Sequence, residues 1–322
     1  MQAALELIGE DLKQVEEQFK KDLESEVPLI RKVGEYLLSS GGKRIRPAML
    51  LLSARLCNYH GAQAIPLASV VEFIHTATLL HDDVVDNASL RRGLASANTL
   101  WGNEASVLIG DFLFSKSFSL MVGVGSLDIL GVMSRATTII AEGEVLQLLY
   151  TGEVDLTEEQ YIEVVKAKTA VLLSAAAQSG AILGKVSQQQ EQAMADFGMD
   201  LGIAFQLMDD ILDYTASEEE FGKSIGHDLE EGKLTLPLIH TLRACTADEK
   251  AAVAAIIGKD ELIPEDFRLV CSLVQSYGGI EYTVSKARNF IDSCKKHLSC
   301  FPDESCKDAL LDMAEYVVTR NR

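Results

Sequence analysis

The sequence predicts an all-α protein, and three observations carry that prediction. The six prolines stand at 28, 47, 66, 237, 264 and 302, so residues 67–236 contain none of the residue that breaks helix interiors. Through that stretch apolar residues recur mostly at three-to-four spacing, the period of a helix that buries one face. Strand signals are weak, because β-branched runs such as TTII at 137–140 are short and lie inside longer helical patterns.

The elements follow in order. An amphipathic helix is predicted over about 1–23 and a second over about 28–38, with a stop at SSGG, 39–42. A third opens near Arg46-Pro47, since the fixed φ of proline suits a first turn. The next runs over about 67–87 and is broken by LRRG at 90–93. Helices continue over about 104–122, 126–150, 157–184, 188–215 and 235–257, followed by shorter helices. The polar, glycine-bearing TASEEEFGKSIGHDLEEGKLT, 215–235, reads as a loop or lid. No low-complexity tract or linker divides the chain, so residues 1–322 are expected to form one domain.

Hydrophobic residues at 48% and charged residues at 24% supply a globular protein with ample core material. The net charge of −19 argues against nucleic acid and against a polybasic membrane contact. A small anionic substrate stays compatible with it, because screening beyond ~8 Å lets a local cluster of cations prevail. No run approaches the ~20 apolar residues of a bilayer span, and the acidic start MQAALELIGEDLKQVEEQ lacks a basic n-region, so a cytoplasmic location is expected. Six cysteines in so long a chain suit reduced thiols better than a disulfide framework. Cys294, His297, Cys300 and Cys306 lack the paired Cys-x-x-Cys of a zinc knuckle.

Two acidic clusters call for chemistry: LHDDVVD at 80–86 and MDDILD at 208–213. On a helix Asp82 and Asp86 share a face, with Asp83 about 100° round, and Asp209, Asp213 and Asp210 repeat the pattern. A single cluster reads as a solvated face. Two clusters, each after apolar turns (FIHTATLL, LGIAFQLM) and without interleaved Lys or Arg, do not. Like charges so spaced repel by a few kcal/mol, so a cation is required. Oxygen-only ligands select a hard ion, and Mg²⁺ takes one or two carboxylates, waters and phosphate oxygens. An EF-hand fails, because Asn87 holds its glycine position and Gly93 its acidic one. Lys43, Arg44 and Arg46, Arg91 and Arg92, Lys168, Lys223 and Lys233 accompany the glycine breaks and acidic clusters. They suggest two anion sites, one through Mg²⁺ and one by direct Lys/Arg contact, which suits diphosphates.

The stretches GGKRIRP (41–47), FIHTATLLHDDVVDNASLRRG (73–93), GDFLFSKSF (110–118), KTA (168–170) and FQLMDDILDYTASEEEFGKSIGHDLEEGKLTLPLI (205–239) together resemble the trans-isoprenyl diphosphate synthases, most closely their long-chain polyprenyl (octaprenyl-type) branch. The resemblance implies a single-domain isoprenoid synthase helical bundle around a deep central cavity. It implies Mg²⁺-dependent condensation of an allylic diphosphate with isopentenyl diphosphate, in a homodimer. By position, Asp82, Asp83, Asp86, Asp209, Asp210 and Asp213 are implied as metal ligands, with Asp83 and Asp210 the weaker candidates. Lys43, Arg46, His75 and Arg92 are implied for isopentenyl diphosphate, and Arg91, Lys168, Lys223 and Lys233 for the allylic diphosphate. Thr169 and Gln206 are implied to add dipoles near the reacting carbon, completing a catalytic set with Arg91, Lys168 and Lys233. His81 is expected to pack or hydrogen bond beside the aspartates.

The hydrocarbon is expected to descend from Asp82 past Thr78, Ala77, Ile74 and Val71 or Val70. Short-chain relatives place a bulky aromatic where Ala77 and Thr78 stand, so the small pair implies a deeper tunnel and a long product. Rival readings are a short- or medium-chain synthase, the catalytic subunit of a two-component synthase, and a class I terpene cyclase. The cyclase leaves GGKRIRP without a role, because it binds no second diphosphate.

Overall fold

The structure, a computed structural model, describes residues 2–39, 41–91, 93–215, 226–259 and 262–319. Helices dominate, in the order α1 (Gln2–Asp22), α2 (Pro28–Ser39), α3 (Ile45–Leu56), α4 (Ala64–Val85), α5 (Ala97–Trp101), α6 (Asn103–Val124), α7 (Leu127–Tyr150) and α8 (Glu158–Val165). A π-turn (Lys166–Ala170) joins α8 to α9 (Val171–Gly184). Then come α10 (Gln188–Thr215), α11 (His227–Glu230), α12 (Leu236–Ala244), α13 (Ala247–Ile257), α14 (Pro264–Ser276), α15 (Gly279–His297) and α16 (Ser305–Thr319). The strands among the described residues are a two-residue hairpin, β1 (Leu90–Arg91) and β2 (Leu94–Ala95), paired antiparallel. The all-α expectation holds.

Three local differences have physical causes. The helix predicted over 235–257 is two helices, because Thr246 and Glu249 form a capping box: Glu249 N donates to Thr246 Oγ1 (3.3 Å) and Thr246 N to Glu249 Oε2 (2.9 Å). The predicted loop 215–235 contains α11, while its residues 216–225 lie outside the described residues. The helix predicted over 157–184 widens at the π-turn.

The chain divides into two compact units, each discontinuous in sequence. The first comprises Met1–Thr137, Leu172–Gly198 and His297–Met313. Within it α4 packs on α1, α3 and α6. Phe19 and Leu23 of α1, Val33 of α2, Phe73, Ala77 and Leu80 of α4, and Ile109 and Leu113 of α6 form one buried cluster. Each such large side chain contributes roughly 1.5–3 kcal/mol of burial free energy. Glycine sets the closest approach: a Cβ at Gly180 of α9 would lie 2.7 Å from Ala54 N of α3.

The second unit comprises Thr138–Val171, Met199–Lys296 and Ala314–Arg322. Here α8 opens on a capping box from Thr157 and Gln160. Glu158 then ties α8 to α15, accepting from Tyr282 Oη (2.6 Å) and pairing with Lys286 Nζ (2.7 Å). The two bonds from α15 hold the start of α8 in place.

The expectation that no run approaches the length of a bilayer span meets two long apolar helices. By length and composition α4 and α6 are both long and apolar enough to cross a bilayer. In α4, 56% of the apolar window is buried inside the protein, which accounts for its apolarity as core. In α6 the buried share is 28%, leaving Leu108 and Val122 65% and 66% exposed.

Candidate active site

In the first unit α4 presents two faces. Phe73, Ile74, Ala77, Leu80 and Asp83 are buried, while His75, Thr78, Leu79, Asp82 and Asp86 are half-buried along the other side. The three aspartates therefore divide. Asp83, 1% exposed, accepts from Arg91 Nε at 2.5 Å, and its backbone carbonyl accepts from Asn98 Nδ2 at 3.0 Å. Burial raises its carboxyl pKa, and the Arg91 guanidinium only partly offsets that. Asp83 thus anchors the hairpin to the end of α4. Asp82 and Asp86 stand on the half-buried face, where a cation has access.

Arg46 and His75 come together, Nη1 to Nε2 at 3.1 Å. Thr78 Oγ1 donates to the His75 carbonyl at 2.8 Å. Lys43 is exposed three residues before Arg46, and Arg92 lies outside the described residues. His81, as expected, packs near the cluster: Nε2 is 3.3 Å from both Val107 O and Asp111 Oδ1. Gly110 makes room for it, since a Cβ there would lie 2.4 Å from that nitrogen.

The positions expected along the tunnel differ in exposure. Ile74 and Ala77 have no accessible surface, and Ala77 belongs to the buried cluster. At 3.6 residues per turn Ala77 is rotated about 140° from Asp82, whereas Thr78 is rotated only about 40°. Ala77 thus packs within the buried cluster, while Thr78 and Leu79 stand on the half-buried side below Asp82.

In the second unit Lys168, Thr169, Gln206, Asp210 and Lys233, all singled out in the sequence, line one pocket of about 150 Å³. The π-turn carries Lys168 and Thr169, and π-turns re-aim side chains without ending a helix. Gly143 of α7 allows the wider turn, because a Cβ there would lie 2.7 Å from Ala167 Cβ and 3.1 Å from Lys168 N. Thr169 Oγ1 donates to Gln206 Oε1 (2.9 Å), and Gln206 Nε2 donates to Asp210 Oδ1 (2.8 Å). Tyr161 Oη donates to the other oxygen of Asp210. Lys168 Nζ donates to Glu144 Oε2 (2.7 Å), and Lys233 Nζ pairs with Glu231 Oε2 (2.7 Å). With its amide oxygen turned toward them, Gln147 accepts from Lys168 Nζ (3.3 Å) and Lys233 Nζ (3.2 Å). Lys223 lies outside the described residues.

The second aspartate set also divides. Asp210 is 2% exposed and held between Tyr161 and Gln206. Burial first, then the charges of Asp209 and Asp213, push its carboxyl up to about 7 despite those hydrogen bonds. Asp213 accepts backbone N–H groups from Gly226 (2.7 Å) and Asp228 (3.1 Å), fixing α11, and burial raises its pKa too. Asp209 is half-buried. Asp228 is the acidic group that motif reading passed over. Desolvation, then the charges of Asp210 and Asp213, hold its pKa well above the usual carboxylate range, and Lys233 only partly offsets this. Its signal was the acid inside GHDLEEGK. Tyr161, Gln147 and Gly143 gave no sequence signal.

This donor set fits a hard cation. Carboxylates that desolvation and mutual repulsion keep protonated are those from which a divalent ion displaces the proton. Among the described residues no three acidic, histidine or cysteine side chains converge into a closed ligand set.

The comparisons follow this geometry. The family model for polyprenyl synthetase matches residues 27–274, and the chain belongs to that family. It is 43% identical over 321 residues to the octaprenyl diphosphate synthase of Escherichia coli (strain K12), covering 98% of each chain. A polyprenyl synthase from Caulobacter crescentus CB15, solved in complex with calcium and isoprenyl diphosphate, superposes with a TM-score of 0.95 at 40% identity, covering 100% of this chain and 98% of that one. A decaprenyl diphosphate synthase from Rhodobacter capsulatus gives a TM-score of 0.94 at 42% identity over 99% and 98% of the two chains. The fold and family implied by the motifs are borne out.

Two outcomes follow. Asp210, Asp213, Asp228 and Asp83 all have folded-state pKa values above their unfolded ones. Each contributes stability that is complete below the unfolded value and lost as pH rises through the folded one, about 7 for Asp210. In EDTA, Tm should therefore fall as pH rises from about 6 to 8, and Mg²⁺ should flatten that slope. Glu158, whose pKa is lowered, acts only in the acid range below that window. Second, Gly143→Ala should displace the π-turn and lower kcat by about tenfold or more, with helix content by circular dichroism unchanged.

Proposed function

We propose that this chain is a long-chain trans-polyprenyl diphosphate synthase, condensing isopentenyl diphosphate head-to-tail onto an allylic diphosphate such as farnesyl or geranylgeranyl diphosphate. The observation that carries the reading is the convergence of Lys168, Lys233, Thr169, Gln206 and Asp210 on one pocket. Its volume of about 150 Å³ suits a diphosphate head, with the hydrocarbon extending elsewhere. Similarity to the octaprenyl enzyme supports the long product.

Asp82 and Asp86 of α4 and, in the second unit, Asp209, Asp210, Asp213 and Asp228 would hold Mg²⁺, which would supply positive charge to a departing allylic diphosphate. Lys168 and Lys233 bind that same diphosphate, and Arg91 assists from the hairpin. Gln206 and Thr169 aim their dipoles at the allylic carbon as its C–O bond breaks. Asp83 and the Tyr161 hydrogen bond to Asp210 hold these groups in place. Lys43, Arg46 and His75, with Arg92, bind isopentenyl diphosphate by direct cationic contact. That keeps its own C–O bond intact and presents its double bond to the allylic carbon. As the new C–C bond forms, the proton lost from the adduct passes to the departed diphosphate.

We further propose a single synthase domain, supported by a family match that runs through segments of both compact units. A cytoplasmic setting is supported by six free cysteines, and small anionic substrates rather than nucleic acid by the net charge of −19. A homodimer is supported by the apolar surface of α6. Light scattering should give a dimer for the wild type and a monomer for Leu108→Asp/Val122→Asp.

Incubating the purified chain alone with Mg²⁺, farnesyl diphosphate and isopentenyl diphosphate should yield an octaprenyl-length product. A single condensation would contradict the long-chain reading, and activity only after adding a partner would make the chain one subunit of two. Thr78→Phe should shorten the product with turnover retained. Ala77→Phe should instead overpack the core and cost about 1–3 kcal/mol of stability, read by thermal unfolding.

A further inference from the structure

Arg44 stands between Lys43 and Arg46, assigned above to isopentenyl diphosphate, yet it is held differently. Its backbone is left-handed, φ 50° and ψ 33°, where a residue with a Cβ is strained and glycine is usual. Its guanidinium engages two carboxylates: Nε donates to Glu16 Oε1 of α1 at 3.3 Å, and Nη1 donates to Glu72 Oε2 of α4 at 3.2 Å. Glu72 is the single acid in LASVVEFIHTATLL and is 7% exposed. A carboxylate buried among apolar residues persists only with a partner. Strain at Arg44 is therefore maintained by its ion pair with the buried carboxylate of Glu72.

The placement gives the pair a consequence. The Arg44 carbonyl accepts from Ala48 N at 3.1 Å and so begins α3. Glu72 and His75, three apart, share one side of α4. Two links thus join the start of α3 to the same turn of α4: Arg44 to Glu72, and Arg46 to His75 at 3.1 Å. Only the second offers groups to a ligand. The first has its charge balanced by Glu16 and Glu72, so Arg44 makes a poor anion receptor. Glu16 brings α1 into the clamp, and Arg55 secures that helix further along, with Nη2 on Asp11 Oδ2 at 2.6 Å and Nη1 on Leu7 O at 2.7 Å.

We infer that Glu72 is a positioning residue for the non-ionising substrate. By holding Arg44 in its left-handed turn, it sets where Lys43 and Arg46 stand, and hence the affinity for isopentenyl diphosphate. The inference rests on the assignment of Arg46 and His75 to that substrate. It makes the Glu16–Arg44–Glu72 clamp a specificity element that acts on one diphosphate and not the other.

Steady-state kinetics with Mg²⁺, varying isopentenyl diphosphate and farnesyl diphosphate separately, tests this on Glu72→Gln and on Arg44→Gly/Glu72→Gln. The double variant guards against misfolding, since glycine relieves the left-handed strain and glutamine removes the unpaired buried charge. Both should raise KM for isopentenyl diphosphate about tenfold, with kcat and KM for farnesyl diphosphate within about twofold. The double variant should be no worse than the single one, because the two residues act as one link. A wild-type KM for isopentenyl diphosphate in the double variant overturns the inference. So does an equal rise in both KM values, or loss of folding in the double variant, either of which makes the pair a stability element. Arg46→Ala, run alongside, tests the assignment itself. If it leaves KM for isopentenyl diphosphate unchanged, that assignment fails and the positioning role with it. If it raises KM while the double variant does not, only the positioning role fails.

Discussion

Burying like charges is the constraint on which the rest of the molecule turns. Asp209, Asp210, Asp213 and Asp228 are brought together beside a small pocket, where water is scarce and Lys233 is the cation that most directly opposes their repulsion. Such an arrangement is unfavourable in the absence of a cation, and a fold that keeps it does so for function. The same deficit of positive charge underlies the proposal that a metal ion binds there and brings a diphosphate with it. Helix α8, tied to α15 through Glu158, brings Tyr161 onto Asp210, so the scaffold carries part of the strain.

Each aspartate set divides its labour, which repetition of a motif does not reveal. Asp83 is engaged by Arg91 and the hairpin, and Asp213 is oriented by the backbone of α11. Asp210 sits in a hydrogen-bond chain from Thr169 through Gln206. These bonds fix the carboxylates in direction, which a weakly populated rotamer set does not do. Pre-organised groups then need little rearrangement when charge develops on a leaving diphosphate. Arg46 and His75, proposed for the substrate that stays intact, form a different environment, in contact at the start of α3.

Much of this was legible in the chain. The proline-free span and the apolar period gave the helices, and α10 is found over Gln188–Thr215 as expected. Five of the residues marked by motif share one pocket. What escaped was of two kinds. Local chemistry was missed where a capping box was overlooked, as at Thr246 and Glu249, which split one expected helix into α12 and α13. Tertiary context was missed where sequence carries no local mark: the π-turn that aims Lys168 depends on the absence of a side chain at Gly143, far away in sequence. At Ala77 smallness has two meanings, an open channel or a close helix contact, and the chain alone does not separate them, although the side chain is fully buried.

The most direct test of the charge argument is to titrate Mg²⁺ into the metal-free protein at pH 7 in weakly buffered solution and to follow proton release. With Asp210 poised near that pH by burial, metal binding should expel protons, and Asp210→Asn should reduce the number expelled. Binding without proton release, or release unchanged by that substitution, would contradict the claim that desolvated, mutually repelling carboxylates are what the metal relieves.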